Sequence, residues 1–287
     1  MELFNYSPII ERGPFRLPND AKIAVWFGIN IEHYTPNKPA MSLAPFTAQL
    51  VPDPLNYGWR DYGPRVGVCR LSDIFSEHDI TPSAITNSEV ITQYPQIIDH
   101  GLEKGWAFAG HGVNNSDWHN GIPIDEEVAL IESIQTSFKS RGIDLKGWLG
   151  PALTSTENTV EVLAQQGFTY SLDWANDDLP YWFNLENQRL LSIPYSSEVN
   201  DIPAFAIHHQ TGEQFGQALR DQFDVLYAEG ETSPRVMGVG LHPFLVGQPF
   251  RAKYLAEALA YMKEHEGVWF ATSDEIADWA FAHGDNL

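Results

Sequence analysis

Short apolar runs alternate along the chain with amphipathic segments, a pattern typical of proteins built from repeated strand and helix units. Residues 22–30 (KIAVWFGIN) form a continuous apolar run, which predicts a strand buried on both faces. Residues 65–79 place Val68, Leu71 and Phe75 on one face of a predicted helix. Similar patterns predict strands at 81–86, 106–110, 145–150, 168–173, 190–195, 235–241 and 268–272, and helices at 90–105, 125–142, 156–167, 213–229 and 251–266.

This alternation continues without a linker or a low-complexity break and contains no internal repeat. About seven strand–helix units in series predict an α/β fold with one parallel barrel rather than an open sheet with a second domain. We expect residues 1–20 to form an N-terminal arm and residues 21–287 to form the barrel. A long loop, residues 34–64, is predicted to follow the first strand.

Polar side chains follow several of the predicted strands directly. Asn30 and Glu32 end the first strand, and His111, Asp173 and His242 end later ones. In parallel barrels the reacting groups lie where strands end, so side chains remote in sequence meet at one mouth. We therefore predict that Glu32, His111 and His242 form a catalytic group.

Each of these three residues also has an ordinary structural explanation. A glutamate after a strand often caps a turn or contacts solvent, and His111 could be satisfied by neighbouring carbonyl groups. His242 could simply be fixed by the proline that follows it. The catalytic interpretation rests on the recurrence of such residues at strand ends.

Asn30 and Asn115 are candidate substrate-binding residues, and four further candidates lie in two loops and one strand. Asp177 and Asp178, in DWANDDLPYW, are typical of an Asx turn before a proline, or they could accept N–H groups of a substrate. Arg65, near Arg60 in YGWRDYGPRVG, could contact solvent or hold a carbonyl or carboxylate oxygen. Trp148 is expected in the core or in a pocket wall.

The composition and charge of the chain exclude several classes of binding partner. The 287 residues are 43% hydrophobic and carry a formal charge of -21, which repels nucleic acid and anionic membrane surfaces. The single cysteine, Cys69, excludes an internal disulfide, and the first residues lack the basic and apolar stretches of a secretion signal. No apolar run approaches the roughly 20 residues that cross a bilayer. We expect a cytoplasmic protein that acts on a small molecule.

No familiar protein nucleophile is present in the sequence. A Gly-x-Ser-x-Gly motif is absent, Cys69 lies within a predicted amphipathic helix, and no glycine loop ends in a phosphate-binding lysine. A carboxylate with two imidazoles is sufficient to activate water and to protonate a departing nitrogen. These observations favour hydrolysis by water. Burial is expected to raise the pKa of the Glu32 carboxyl toward neutrality.

The order of these segments resembles the polysaccharide deacetylase (NodB homology) superfamily. The resemblance rests on strand-Asn-x-Glu, strand-His-Gly, GWLGP, DWANDDLPYW and LHPFLVGQPFR, which span nearly the whole chain. It is closest to the branch of metal-independent allantoinase and cyclic imide hydrolases. The resemblance implies a distorted (β/α) barrel of seven or eight units, with His242 as the acid of the final His-Pro motif.

Two positions depart from the deacetylase pattern of that superfamily. The resemblance implies an aspartate base at position 30 and a second histidine ligand at position 115, where this chain has Asn30 and Asn115. Asn30 is neutral and cannot be a general base, and an amide oxygen is a poor zinc ligand. We therefore favour catalysis without a cofactor. The alternative is a divalent metal such as zinc, held by Glu32, His111 and Asn115.

The favoured function is hydrolysis of a carbon–nitrogen bond other than a peptide bond, in a small and cyclic amide, ureide or imide. The second alternative is N-deacetylation of an amino sugar or oligosaccharide. The third is a catalytically silent homologue that only binds a small ligand, since loss of the usual base and of one ligand is also typical of inactive relatives. The tryptophans are compatible with a homo-oligomer.

Overall fold

The first predicted strand lies at the centre of the fold. The computed structural model describes residues 3–13 and 15–284; Met1, Glu2, Pro14 and residues 285–287, which belong to the predicted arm and barrel, lie outside the described residues. Strand β1 (Ile23–Ile31) is buried along its whole length, as its continuous apolar sequence predicts. It pairs in parallel with β2 (Ser83–Thr86), β8 (Arg235–Leu241) and β9 (Val268–Phe270).

The remaining strands extend this sheet on one side. They are β3 (Ala107–Gly110), β4 (Gly147–Trp148), β5 (Tyr170–Ser171), β6 (Tyr181–Trp182) and β7 (Leu191–Ser192). The order is β6-β7-β5-β4-β3-β2-β1-β8, with β9 on β1, and among the described residues only β6 and β7 pair antiparallel. An isolated bridge between Asn200 and Gly240 links the segment after β7 to β8. The predicted distorted α/β barrel is confirmed as a curled sheet that forms a half-barrel.

Successive residues of β1 face opposite sides of the curled sheet. Val25 and Phe27 pack in the outer apolar cluster under the helices, whereas Ala24 and Trp26 pack in the inner cluster. Because side chains alternate along a strand, Asn30 lies on the inner face, and Glu32 continues that face at the end of the strand. The alternation therefore directs both polar side chains into the mouth of the half-barrel.

Nine α-helices are described, most of them on the outer side of the sheet. They are α1 (Pro54–Tyr62), α2 (Val68–Glu77), α3 (Val90–Gln93), α4 (Pro95–Glu103), α5 (Ile124–Lys139), α6 (Thr159–Gln165), α7 (Gly212–Glu229), α8 (Pro249–Lys263) and α9 (Ser273–His283). Thr211 and Gln214 form a capping box at the start of α7, and Thr272 and Glu275 form another at α9. None of the helices in residues 3–13 and 15–284 is long and apolar enough to span a membrane.

The structure differs from the predicted elements in a few places. The predicted loop 34–64 contains α1, which begins with Asp53 as N-cap and Pro54 in the first turn. The predicted helix 90–105 is divided at Tyr94, because the residue before a proline is disfavoured in helical conformation. Strand β6 and helix α9 were not predicted.

The N-terminal arm packs on the segment around β6. The ring centroid of Phe4 lies 5.3 Å from that of Trp174 and 5.3 Å from that of Tyr181. Aromatic edge contacts of this kind stabilise the docking of a chain terminus. The boundary at residue 20 between the arm and the barrel stays a prediction.

Candidate active site

Three strand ends bring Glu32, His111 and His242 to one point. The Nε2 atom of His111 lies 3.5 Å from Glu32 Oε1, and the Nε2 atom of His242 lies 3.7 Å from the same oxygen. Both distances exceed a normal hydrogen bond, so each Nε2 atom remains available to a ligand. The three side chains are at most 5% exposed. The predicted catalytic residues thus converge, and their individual roles remain predictions.

His242 is held by a buried carboxylate. Its Nδ1–H donates to Asp201 Oδ1 at 2.6 Å, while Asp201 Oδ2 accepts the backbone N–H groups of His242 at 2.8 Å and Val246 at 3.1 Å. Asp201 itself is completely buried. Because a carboxylate accepts at Nδ1, the other ring nitrogen, Nε2, faces Glu32.

The charges around His242 decide its protonation. Burial lowers the pKa of the His242 imidazole, but the negative charges of Asp201 and Glu32 and the hydrogen bond to Asp201 outweigh it. The net pKa of His242 is therefore raised above its usual value. An imidazole that keeps its Nε2 proton near neutral pH is suited to donate it to a leaving group.

His111 is held by a neutral partner instead. Its Nδ1–H donates to the carbonyl oxygen of Leu149 at 2.7 Å. The following residue, Gly112, has φ +67°, and a Cβ atom there would lie 2.5 Å from Pro151 and 2.8 Å from His119. Glycine is therefore the residue that fits this position, since it adopts a positive φ and leaves room for both neighbours.

Glu32 receives hydrogen bonds at both carboxylate oxygens. The Tyr34 hydroxyl donates to Oε2 at 2.6 Å, and the Asn115 amide donates to Oε1. Burial raises the pKa of the Glu32 carboxyl, but the positive charge of His242, the interaction with His111 and the Tyr34 hydroxyl outweigh that effect. The net pKa of Glu32 is lowered, so the expectation of a pKa near neutrality is wrong. Glu32 is ionised at neutral pH.

Asn30 lies two residues before Glu32 on the same inner face. Its Nδ2 donates to the Tyr195 hydroxyl at 3.0 Å and to the Leu241 carbonyl at 3.2 Å. Its Oδ1 is buried and has no hydrogen-bond partner. A buried acceptor without a donor is costly, and a ligand N–H would satisfy it.

The residues predicted for the alternative metal site do not fit a zinc ion. The Asn115 amide nitrogen faces Glu32, and its Oδ1 accepts from Asn87 at 3.1 Å, so the amide oxygen is already bound. The raised pKa of His242 also keeps a positive charge next to Glu32. In the part of the chain that the structure describes, no group of three or more His, Cys, Asp or Glu side chains has the arrangement of a metal site.

Three predicted binding residues lie away from this centre. Arg65 pairs with Asp61, and its side chain is 72% exposed. Asp177 forms an ion pair with Arg12 of the N-terminal arm. The Asp178 carbonyl accepts from Val236 at the start of β8, roughly 20 Å along that strand from His242. Asp177 and Asp178 instead line a separate cavity of about 810 Å³ beneath the arm.

Trp148 is also separated from the centre by the sheet. Leu149 packs in the inner cluster, so its neighbour Trp148 points to the outer one. Its ring stacks on His119 with centroids 5.7 Å apart and meets Phe168 edge-on at 5.8 Å. The structure therefore places Trp148 in the core, one of the two positions expected for it.

A segment that sequence analysis assigned mostly to a loop covers the centre. We call residues 54–67, which comprise α1 and the π-helical turn Gly63–Gly67, the roof segment. The Arg60 guanidinium lies 4.9 Å from the Tyr34 ring, and Trp59 meets Phe244 edge-on with centroids 4.9 Å apart. A Cβ atom at Gly67 would lie 2.0 Å from the Pro243 carbonyl oxygen, so only glycine permits this approach. The narrow cleft that remains is lined by Glu32, Tyr34, Tyr57, Arg60, Asp61, Pro64 and Tyr94.

Sequence reasoning missed several residues of this site. Tyr34 could have been found, because it follows Glu32 by two positions in an extended segment and so shares its face. Tyr195 ends the predicted strand 190–195, so the strand-end argument also applies to it. Asp201 gave no signal, since it lies beyond that strand. Asn87 follows β2 and bonds both Asn115 and the His111 carbonyl, a role that depends on tertiary structure.

Comparisons with known proteins agree with this architecture. No protein-family model matches the sequence. A Schizosaccharomyces pombe protein described as a polysaccharide deacetylase is 29% identical over 93% of this chain and 92% of its own length. The chain is thus similar to a protein described as a polysaccharide deacetylase over most of both lengths.

Solved structures extend the comparison within this superfamily. A protein from Pseudomonas aeruginosa PAO1 assigned as a polysaccharide deacetylase has a TM-score of 0.85 and 28% identity, covering 96% of this chain and 97% of that one. PuuE allantoinase has a TM-score of 0.84 and 27% identity, covering 97% and 98%. The predicted resemblance to the polysaccharide deacetylase superfamily, with its allantoinase-like branch, is confirmed. These relatives agree with the prediction of a hydrolase and with both enzymatic alternatives.

Proposed function

We propose that this protein hydrolyses a carbon–nitrogen bond in a small cyclic amide, such as a ureide or an imide, with water as the nucleophile. The observation that carries the proposal is that two imidazole Nε2 atoms lie within 3.7 Å of one oxygen of the buried, ionised Glu32 carboxylate. In such a site, proton transfers by positioned side chains accelerate hydrolysis.

Glu32 and His111 act on the water molecule in this mechanism. Water bound beside Glu32 Oε1 is oriented by the carboxylate and by His111 Nε2, and it transfers a proton to Glu32 as its oxygen attacks the carbonyl carbon. The low pKa of Glu32 makes the carboxylate a weak base, so the orientation of water contributes more than basicity.

His242 acts on the departing nitrogen. As the ring carbon–nitrogen bond breaks, the bond's electron pair remains on nitrogen and takes the Nε2 proton of His242. The water oxygen stays on the carbonyl carbon as part of a carboxyl group. Asp201 stabilises the protonated imidazole before this transfer and holds the ring in position.

Two features support a ring amide over a polymer. The reacting side chains are nearly inaccessible under the roof segment, whereas a polysaccharide needs an open groove. The free Oδ1 of Asn30 accepts an N–H group, which ureides and imides carry beside the carbonyl. The Asn115 amide oxygen already accepts a hydrogen bond from Asn87, which supports the predicted metal-free chemistry.

N-deacetylation of an amino sugar is the second candidate. It is favoured by the descriptions of the S. pombe and P. aeruginosa relatives. Against it stand Asn30 in place of a base and the enclosed cleft. As part of the same proposal, we infer a cytoplasmic protein, which a single free cysteine supports.

A substrate screen tests this proposal. Purified protein is incubated with cyclic imides, ureides and acetylated amino sugars, and ring opening and acetate release are measured with and without a strong chelator. We expect ring opening that the chelator leaves unchanged. Acetate release alone would favour deacetylation, and activity lost on chelation would contradict the metal-free mechanism.

Glu32→Gln makes the test specific to the site. The amide keeps the shape of the side chain but removes its charge, so kcat should fall by about 10³-fold or more. Glu89→Gln is the matched control, because Glu89 lies 3.6 Å from His33 Nε2 without belonging to the site. Full activity in Glu32→Gln, or equal losses in the two variants, would rule the mechanism out.

A further inference from the structure

Arg60 is a buried cation without a carboxylate partner. It is 4% exposed, its Nη1 donates to the Met41 carbonyl, and its guanidinium lies over the Tyr34 ring. Within residues 3–13 and 15–284, no carboxylate forms an ion pair with it. Its Nε atom is buried and has no hydrogen-bond partner.

An unpaired buried arginine is unexpected in a protein with a formal charge of -21, because carboxylates are abundant. Removing a guanidinium from water without pairing it costs free energy, and its charge persists because arginine does not deprotonate in proteins. Another buried arginine, Arg235, follows the usual solution and pairs with Glu229 at 2.9 Å. The carboxylates of Asp53 and Glu32 affect Arg60 only through space. A ligand that pairs with the guanidinium would explain why Arg60 has no carboxylate partner in the protein.

The position of Arg60 indicates the chemistry of that ligand. Arg60 and Glu32 line the same narrow cleft, so the guanidinium borders the space that a molecule bound beside Glu32 would occupy. Hydrolysis of a ring amide converts a neutral carbonyl group into a carboxylate in this cleft. A guanidinium N–H bonds a carboxylate oxygen more strongly than a neutral one.

We propose that Arg60 recognises the carboxylate formed when the ring opens, through its unpartnered Nε–H. This inference rests on the proposed function, because it assigns the ligand by the product of that reaction. Arg60 is then a specificity-determining residue of the cleft. The ligands it selects are small open-chain amides that carry one carboxylate.

The experiment compares two probes of the same length that differ at one end, where one has a carboxylate and the other a neutral amide. Succinamate, the open-chain product of succinimide, carries a carboxylate and a primary amide, whereas succinamide carries two primary amides. Binding of each to the purified protein is measured by titration calorimetry. We expect succinamate to bind about tenfold or more tightly than succinamide.

Three variants assign the preference to Arg60. Arg60→Met should bind both probes equally, and Arg60→Lys should keep part of the preference and show that the fold is intact. Arg141→Met removes an arginine that pairs with Asp99 on the outer helices, and it should keep the full preference.

Several results would overturn the inference. Equal binding of both probes to the unmodified protein, no binding of succinamate, or an unchanged preference in Arg60→Met would each do so. Because binding is measured without turnover, a failure of this inference can be distinguished from a failure of the proposed function. Succinamate bound through Arg60 without any ring opening would contradict only the proposed function. Ring opening without a carboxylate preference would contradict only this inference.

Discussion

The two imidazoles of the site face the same carboxylate oxygen but are supported in different ways. His242 donates from Nδ1 to the Asp201 carboxylate, whereas His111 donates from Nδ1 to the Leu149 carbonyl. A carboxylate partner stabilises an imidazolium, and a carbonyl partner fixes orientation without compensating the charge. The comparison assigns proton donation to the His242 side of the site and orientation of water to the His111 side.

Replacement of each histidine by glutamine tests this division most strongly. Glutamine keeps a hydrogen-bonding side chain but cannot donate a titratable proton, so His242→Gln should lower kcat by about 10² to 10⁴-fold. His111→Gln should lower it only about 10 to 100-fold, because a positioning hydrogen bond is weakened. Steady-state kinetics on one ring amide measures both. Equal losses would contradict the assignment of different roles.

Asp201→Asn should change the pH dependence of the His242 side of the site more than that of the His111 side. The Asp201 charge and its hydrogen bond help to raise the pKa of His242, so removal of that charge should lower the pKa. The alkaline limb of kcat/KM should therefore move to lower pH. A pH–rate profile measures the shift, with kcat at neutral pH falling by about tenfold. An alkaline limb that stays in place would remove His242 as the acid.

Tyr34→Phe should give the smallest effect, on the acid limb. The Tyr34 hydroxyl contributes to the lowered pKa of Glu32, so its loss should raise that pKa. Activity requires ionised Glu32, and the acid limb of kcat/KM should move to higher pH while the alkaline limb stays. We expect activity at neutral pH to change by only a few fold. An unchanged acid limb would show that Glu32 does not control it.

The sequence predicted the parts of this site that strand ends determine. Glu32 follows β1, His242 follows its neighbour β8, and His111 follows β3, which β2 separates from β1. Parallel pairing brings the ends of these strands to one edge of the sheet. Asn30 and Asn115 were predicted as well, and both bond within the centre. Such residues are predictable because strand direction fixes them.

The residues that sequence analysis misplaced or left open depend on loops and on strand faces. Asp177 and Asp178 belong to a loop that turns toward the start of β8, and sequence does not reveal that direction. The position of Trp148 stayed open between core and pocket wall, because β4 has only two residues and no alternation pattern could specify its face. The net pKa direction of Glu32 required the distances to two imidazoles. Helix α1 was missed although Asp53 and Pro54 are typical of a helix start.

The contact of Gly67 with Pro243 joins the segment that covers the cleft to the segment that carries His242. Gly67 belongs to the roof segment, and Pro243 directly follows His242. A side chain at position 67 would push the roof segment away from Pro243 and would disturb the residue next to it, His242. The missing side chain of Gly67 thus helps to hold the cover of the site and its imidazole in a fixed relation.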